Sequence, residues 1–348
     1  MRNPNLDLVR TTAITMVLVY HLGDRWTGIS PLTKDILAVG KYGVDLFFAL
    51  SGWLIGSLFW KETVRQGRVE IGRFIARRAL RTMPPYFVAL LFAWLGVWYF
   101  RGEPFDFGYL LFVQNFYDAM PFFWISWSLC VEEQFYLTAP WVLAAAWRWR
   151  RSWLPWLWVM ILLAPVFRIV FAYPYREGDT FGFLHTATIF RFEGLTLGVW
   201  AAFLCYTEHR RWQCVRRWAG RLWPVGVMLV VAPSLLLPKD LFYYIGYTLV
   251  SIGCAIVVVA AAVSGEVIGR FRPMIYGIAV ASYSTYLTHT MALDAEFRFL
   301  RLLGLESPIV LIPMLAGLYL VGAVFYMLVE RPTMILRERL VARRTQAT

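Results

Sequence analysis

Long apolar runs, most of them bounded by arginine or lysine, recur along the whole chain. Ten segments stand out: Leu8–Leu22, Tyr42–Trp60, Met83–Phe100, Phe122–Trp147, Trp153–Phe171, Ile189–Tyr206, Leu222–Leu237, Phe242–Ser264, Met274–Ala292 and Pro308–Val329. A helix that crosses a bilayer needs about 20 apolar residues, with a range of roughly 17–25. Most of the ten meet that length, while the first and seventh are short. Phe105–Phe116 is apolar but too short to span, and is expected to be a re-entrant or interfacial piece. The pattern predicts an all-α fold: a polytopic membrane bundle of about ten transmembrane helices.

The charged residues between the segments set an orientation. Cytoplasmic loops carry an excess of Lys and Arg. With the N-terminus inside, the inner loops hold Lys61, Arg65, Arg68, Arg73, Arg77, Arg78 and Arg81, then Arg148, Arg150 and Arg151, then Arg210, Arg211, Arg216, Arg217 and Arg221, then Arg270 and Arg272. The C-terminal stretch adds Arg331, Arg337, Arg339, Arg343 and Arg344. The outer loops hold only Arg25, Lys34, Lys41, Arg101, Arg176, Lys239, Arg298 and Arg301. An even number of spans then puts both termini in the cytoplasm. Residues 1–335 are expected to form one membrane domain and 336–348 a basic cytoplasmic tail.

Composition agrees with this pattern. The 348 residues are 59% hydrophobic, 18% aromatic and only 16% charged, with a mean hydropathy of +0.56. A soluble domain carries about 25% charged residues, so lipid is the expected solvent. The net charge of +12 is accounted for by the loop asymmetry, and no nucleic-acid surface is needed. Cys130, Cys205, Cys214 and Cys254 have no metal-ligand spacing, and three lie in apolar runs, so neither a metal site nor a disulfide framework is expected. The first apolar run has neither the usual basic leader nor a small-residue cleavage site, so it is expected to be retained rather than removed as a signal peptide.

A charge within a span costs roughly 2.5–3.5 kcal/mol on insertion scales, so such residues mark candidate chemistry. They are Arg10, His21, Asp45, Glu132, Glu133, Arg168, Arg191, Glu193 and His289. Arg10 and His21 are eleven residues apart, which returns a helix to within about 20° of its starting azimuth and separates the two by about 16 Å along the axis. They share a face, with the arginine near the cytoplasmic end and the imidazole well across. That span is on the order of a pantetheine arm, so an arginine could hold an anionic donor while the histidine meets its reactive end. Glu132 and Glu133 fall mid-segment and point about 100° apart, so each needs its own partner, either an imidazole or an arginine. Arg77, Arg78 and Arg81 cluster before the third segment, and Arg78 and Arg81, three apart, share a helix face suited to phosphates. Asp45, Arg191, Glu193 and His289, with Ser128, could face an outward polar cavity. Each has a plainer reading, as an ion pair between helices, a satisfied buried histidine or a topology signal.

The strings around these residues resemble the acyltransferase 3 family of bacterial multi-pass O-acyltransferases. They are Leu6-Asp7-Leu8-Val9-Arg10 leading to Tyr20-His21; Gly43 through Gly56; Arg77-Arg78-Ala79-Leu80-Arg81-Thr82-Met83-Pro84-Pro85-Tyr86; Trp127 to Leu137; Arg191-Phe192-Glu193-Gly194-Leu195; Ser282-Tyr283 to His289; and Glu330-Arg331-Pro332. Each is weak alone, but the ordered set spans nearly the whole chain. The resemblance implies a ten-helix acyltransferase domain using acyl-CoA, usually acetyl-CoA, as co-substrate, with no tightly bound cofactor. Its Arg-to-His motif falls on Arg10 and His21, its donor-associated Arg-x-x-Arg motif on Arg78 and Arg81, and its Glu-Glu motif on Glu132 and Glu133. Two positions depart from the pattern: Cys130 where Ser is usual and Glu193 where Asp is expected. A stand-alone form without an extracellular hydrolase-like domain is expected.

The resemblance thus implies a membrane-bound O-acyltransferase that moves an acyl group to a carbohydrate hydroxyl, with His21 as general base. The rival from another class is a proton-coupled carrier, which buried carboxylates and histidines would also suit. Neither an inverted repeat nor a pair of matched Gly/Pro-broken spans supports it.

Overall fold

The computed structural model of the chain describes residues 3–26, 29–117, 119–148, 153–171, 182–238, 241–305 and 308–346. Arg150, Arg151, Arg176 and Lys239, and the side chains of Arg339, Arg343 and Arg344, lie outside the described residues. In chain order the helices are α1 (Pro4–Arg25), α2 (Pro31–Ala38), α3 (Gly43–Gln66), α4 (Ile71–Arg101), α5 (Gly108–Leu111), α6 (Trp127–Arg148), α7 (Trp153–Phe171), α8 (Phe183–Thr186), α9 (Glu193–Thr207), α10 (His209–Leu236), α11 (Tyr247–Val263), α12 (Arg272–Leu302), α13 (Leu311–Phe325) and α14 (Arg331–Gln346). No strand occurs among the described residues. Single π-turns at Phe242–Gly246 and Tyr326–Glu330 lead into α11 and α14.

Each predicted apolar segment falls on a helix. Among the described residues, five helical stretches are long and apolar enough to cross a membrane by themselves: Pro31–Gln66, Ile71–Arg101, Arg210–Leu236, Phe242–Val263 and Leu311–Glu338. Several helices outrun their segments. α10 starts at His209, before Leu222, because the arginine-rich stretch between them contains no breaker until Pro224. α6 starts later than its segment, at Trp127, because Phe123 adopts a left-handed φ of 48° that ends one turn and opens another. Start signals act where they are present. Asn3 caps α1, its side chain accepting from the Asn5 amide with Pro4 behind it, and Ser30 does the same for α2 ahead of Pro31. Gly67 and Gly102, at φ 73° and 71°, close α3 and α4 in the left-handed conformation that lets a last carbonyl be satisfied.

The centre of the bundle is the α3–α9 pair. Gly52 on α3 meets Gly198 on α9, Gly56 faces Val199 and Ala202, Gly194 faces Phe48 and Ala49, and a Cβ at Gly52 would overlap the Leu195 carbonyl. A Cβ at Gly198 would likewise overlap the Ala49 carbonyl. Small residues at four-residue spacing let two backbones touch, which is how helices associate where lipid removes the hydrophobic driving force. Around this pair the buried side chains form two large clusters. One gathers α3, α6, α9 and α11, the other α1, α4, α6 and α12. Outside them, Leu91, Phe92, Trp141, Ile169, Met228, Leu320 and Leu328 face outward and are exposed. A band of that size on a protein surface marks contact with an apolar phase, so the chain is a membrane protein.

The stretch Phe105–Phe116, expected to be a re-entrant or interfacial piece, folds back into the bundle. Tyr109, Phe112, Gln114 and Asn115 are buried. Gln134 Nε2 donates to the Phe112 carbonyl at 2.6 Å, Gln114 Nε2 to Ser126 Oγ at 2.9 Å, and Asn115 Nδ2 to the Thr186 carbonyl at 3.1 Å. Side-chain amides thus satisfy backbone that leaves helix inside the bundle, a requirement of any irregular segment away from water.

Candidate active site

Four cavities follow one another along α1. The first, about 490 Å³, is lined by Asn3, Leu6, Asp7 and Arg10 of α1 and by Leu54 and Arg216. The second, about 80 Å³, shares Arg10 and Leu54 with it and adds Ser51, Arg78, Arg81, Thr82, Ser128, Glu132, Tyr283 and Tyr286. The third, about 30 Å³, holds Val17, Tyr20, His21, Lys41, Trp124, Trp127 and His185, and shares Val44 and Tyr286 with the second. The last, about 460 Å³, shares Trp124 with the third and is lined by Arg25, Arg101, Asp294 and Arg298. The order of the α1 residues, from Asn3 and Arg10 to His21 and Arg25, fixes the order of the cavities. Two wide vestibules therefore meet through a narrow waist.

Arginines and carboxylates interlock at the inner half of this route. Arg78 Nη2 donates to Tyr136 OH at 2.7 Å, and its guanidinium lies 4.3 Å over the same ring. Tyr136 OH in turn donates to Glu132 Oε2 at 2.6 Å, while Ser51 Oγ donates to Glu132 Oε1 at 3.0 Å. The four-residue step from Glu132 to Tyr136 stacks them on one face of α6. Glu133 turns toward Thr82 and Arg78. Glu330, at the end of the π-turn, is buried and accepts from Ser284 Oγ at 2.6 Å, with Arg81 and Arg10 nearby. Arg10 also pairs with Asp7 at 3.9 Å. The carboxylates hold the guanidiniums in place along this cavity.

At the waist, Ser128 Oγ and Tyr286 OH lie 2.6 Å apart, and both reach the Ile125 carbonyl. Beyond them His21 sits among rings: Trp124 edge-on at 5.2 Å, Tyr20 at 4.7 Å and His289 at 5.0 Å between centroids. His289 Nδ1 lies 2.6 Å from the Tyr286 carbonyl and so carries the donated proton, while its buried Nε2 has no hydrogen-bond partner among the described residues.

Arg10, His21, Arg78, Arg81, Glu132 and Ser128 therefore line a row of adjoining cavities, with Glu133 and His289 packed behind it. Four other predicted residues do not line it. Arg77 is exposed, a step of about 100° around the helix from Arg78. Asp45 receives Arg191 Nη2 at 2.9 and 3.1 Å, and the guanidinium lies 4.1 Å over Tyr247. Glu193 accepts from Arg168 Nη2 at 2.5 Å and Nη1 at 2.9 Å, both residues about 1% exposed. These are two buried ion pairs that tie α9 to α3 and α7, behind Trp127. Lys41, His185, Tyr136, Tyr286 and Glu330 were not singled out from the sequence. Tyr136, Tyr286 and Glu330 lie inside the family-like strings, but none of them is a charge within an apolar segment. Lys41 stands one residue before its segment, and only the fold brings His185 inward. Burial, with Arg191 and Lys41 adding positive charge, holds the His185 imidazole well below its ordinary range.

A membrane-embedded helical bundle built round a polar route with arginines at one end and imidazole at the other is the class of protein that emerges. A family profile described as "Acyltransferase domain" matches residues 3–328. The chain belongs to the acyltransferase 3 family. It is similar to "Putative O-acetyltransferase SACOL0978" of Staphylococcus aureus (strain COL), 29% identical over 157 residues, which are 40% of this chain and 24% of that protein. Over 164 residues it is also 29% identical to "O-acetyltransferase OatA" of Staphylococcus aureus (strain NCTC 8325 / PS 47), again 40% of this chain and 24% of the relative. The match thus spans about a quarter of the length of these curated relatives. No solved structure matches the chain.

Proposed function

We propose that the protein transfers an acyl group, acetyl in the first place, from cytosolic acyl-CoA to a hydroxyl of a carbohydrate: a surface or exported polysaccharide, or its lipid-linked precursor. In this reading ten helices cross a bacterial inner membrane with both termini in the cytoplasm. Residues 1–335 are the acyltransferase domain and 336–348 a basic tail. CoA enters the vestibule at the N-terminal end of α1, its phosphates held by Arg78, Arg81 and Arg10, and its pantetheine arm reaches up α1 toward His21. The acceptor comes from the opposite vestibule.

A ring nitrogen of His21 takes the proton of the acceptor hydroxyl as its oxygen attacks the thioester carbonyl. The resulting tetrahedral adduct collapses with cleavage of the C–S bond. An ester forms, and the CoA sulfur leaves with a proton returned from the imidazolium. The carboxylates serve the arginines rather than the imidazole: Glu132 reaches Arg78 through Tyr136, and Glu330 stands by Arg81 and Arg10. The observation that carries the reading is the sharing of Val44 and Tyr286 between the cavity of Arg10, Arg78 and Arg81 and that of His21.

The test is His21→Ala in the purified full-length protein. Acetyl-CoA binding is expected to persist while transfer falls by about 10² to 10⁴-fold. Transfer that survives the substitution would overturn the assignment.

A further inference from the structure

Resting on the acyl-transfer reading, we propose that the acceptor is anionic, presenting a carboxylate or phosphate to Lys41 and to the arginines of the vestibule beyond it. In that orientation the chain keeps cations away from the outer side, where only Arg25, Lys34, Lys41, Arg101, Arg176, Lys239, Arg298 and Arg301 occur. Half of these eight line the two cavities on the acceptor side: Lys41 in the cavity that His21 also lines, and Arg25, Arg101 and Arg298 in the 460 Å³ vestibule. Asp294 is the single carboxylate lining the same two cavities, and it pairs with Arg25. Topology does not explain this clustering, because topology selects against cations on this face.

Lys41 is the most telling of the four. It shares a cavity of about 30 Å³ with His21. No carboxylate lies within ion-pair distance of it among the described residues. Asp45, close by in the chain, is engaged through both oxygens by Arg191. The Lys41 ammonium instead lies 5.1 Å over the Tyr42 ring and 5.7 Å over Phe242. Cation–π contacts of that length compensate only part of the lost hydration. An ammonium in the same cavity as the base, and guanidiniums at Arg101 and Arg298 further out that form no ion pair among the described residues, are a set of donors for carboxylate or phosphate oxygens. Arg298 is held in place over the Phe100 ring at 4.3 Å. The shared chemistry is an oxyanion near the reacting hydroxyl. Its source is either an acidic sugar or a polyprenyl diphosphate to which a neutral sugar is joined.

The experiment measures acetyl-CoA consumption and acetyl-CoA binding by the full-length protein in lipid nanodiscs. The acceptors are a hexose, the matching hexuronate and a polyprenyl-diphosphate-linked hexose. The wild type is expected to use the hexuronate, the lipid-linked hexose or both at least tenfold better than the free hexose; which one responds identifies the source. Lys41→Gln should raise the KM for that acceptor by about tenfold, as expected for loss of one charge-assisted hydrogen bond. Its KM for acetyl-CoA should be unchanged, and Lys41→Arg should restore acceptor affinity. Equal use of free hexose by the wild type, or an unchanged acceptor KM in Lys41→Gln, would overturn the anionic acceptor while leaving acyl transfer standing. Failure to bind or consume acetyl-CoA with any acceptor would overturn the parent reading and this one together.

Discussion

His289 rests against His21 with ring centroids 5.0 Å apart and the planes inclined by 32°. Because Nδ1 of His289 donates to the Tyr286 carbonyl, Nε2 is left as a buried acceptor next to the His21 ring. Such an acceptor can bind the N–H of a neighbouring imidazole and select its tautomer. His289→Phe keeps a buried ring of similar volume but removes that acceptor. It should lower kcat by about tenfold or more with the acetyl-CoA dissociation constant unchanged. Steady-state kinetics beside a CoA titration checks this, and an unaltered kcat would remove His289 from the machinery.

Tyr136 joins Arg78 to Glu132 by one hydroxyl. Tyr136→Phe leaves both charged partners in place without their link. An unsatisfied buried donor or acceptor costs about 1–3 kcal/mol, so donor affinity should fall about tenfold and Tm should drop. Calorimetric titration with CoA and a thermal melt in detergent measure the two effects separately.

The Arg168–Glu193 pair is buried and fully engaged, with Thr248 and the Phe190 carbonyl completing it. Removing one partner of such a pair strands the other, at a cost of about 3–5 kcal/mol, whereas replacing both by apolar residues is often near neutral. Arg168→Met should therefore reduce folded yield sharply, and Arg168→Met with Glu193→Met should recover much of it. Fluorescence-detected gel filtration of the single and double variants tests the coupling.

Glu296 lies on α12 beyond the ninth apolar segment, packed at Gly317 with Oε2 buried and without a partner among the described residues. Burial pushes its carboxyl up to about 7 from an ordinary value of 4.5. The folded state thus prefers the protonated form. The group's unfavourable contribution is absent below pH 4.5, grows as pH rises toward 7 and is complete above it. Glu296→Gln should raise Tm at pH 8 and leave it unchanged at pH 4.5, as read from melts across that range.

The helical nature of the chain and the position of each apolar segment were legible because one face of the pattern, or all of it, must meet lipid. The Arg10–His21 face and the Arg78–Arg81 step were legible for a related reason: helical periodicity alone sets them. What stayed hidden is pairing between helices. Nothing in the local sequence says that Asp45 belongs to Arg191 or Glu193 to Arg168, since those partners stand 146 and 25 residues apart. Both therefore stood as candidates for an open cavity, although they are closed pairs. Arg77 was grouped with Arg78 by adjacency, which a helix turns into divergence. Glu330 escaped notice because it falls one residue past its apolar run, where a π-turn carries it back inside.

The waist between the vestibules bears on the membrane itself. A passage of 460–490 Å³ throughout would short-circuit the cell's electrochemical gradient. At about 30 Å³ beside His21, there is room for no more than about two waters, flanked by Val17, Val44 and Trp124. A space that small carries no open column of water from one vestibule to the other, so the apolar phase around the bundle is not breached by a pore along this row of cavities.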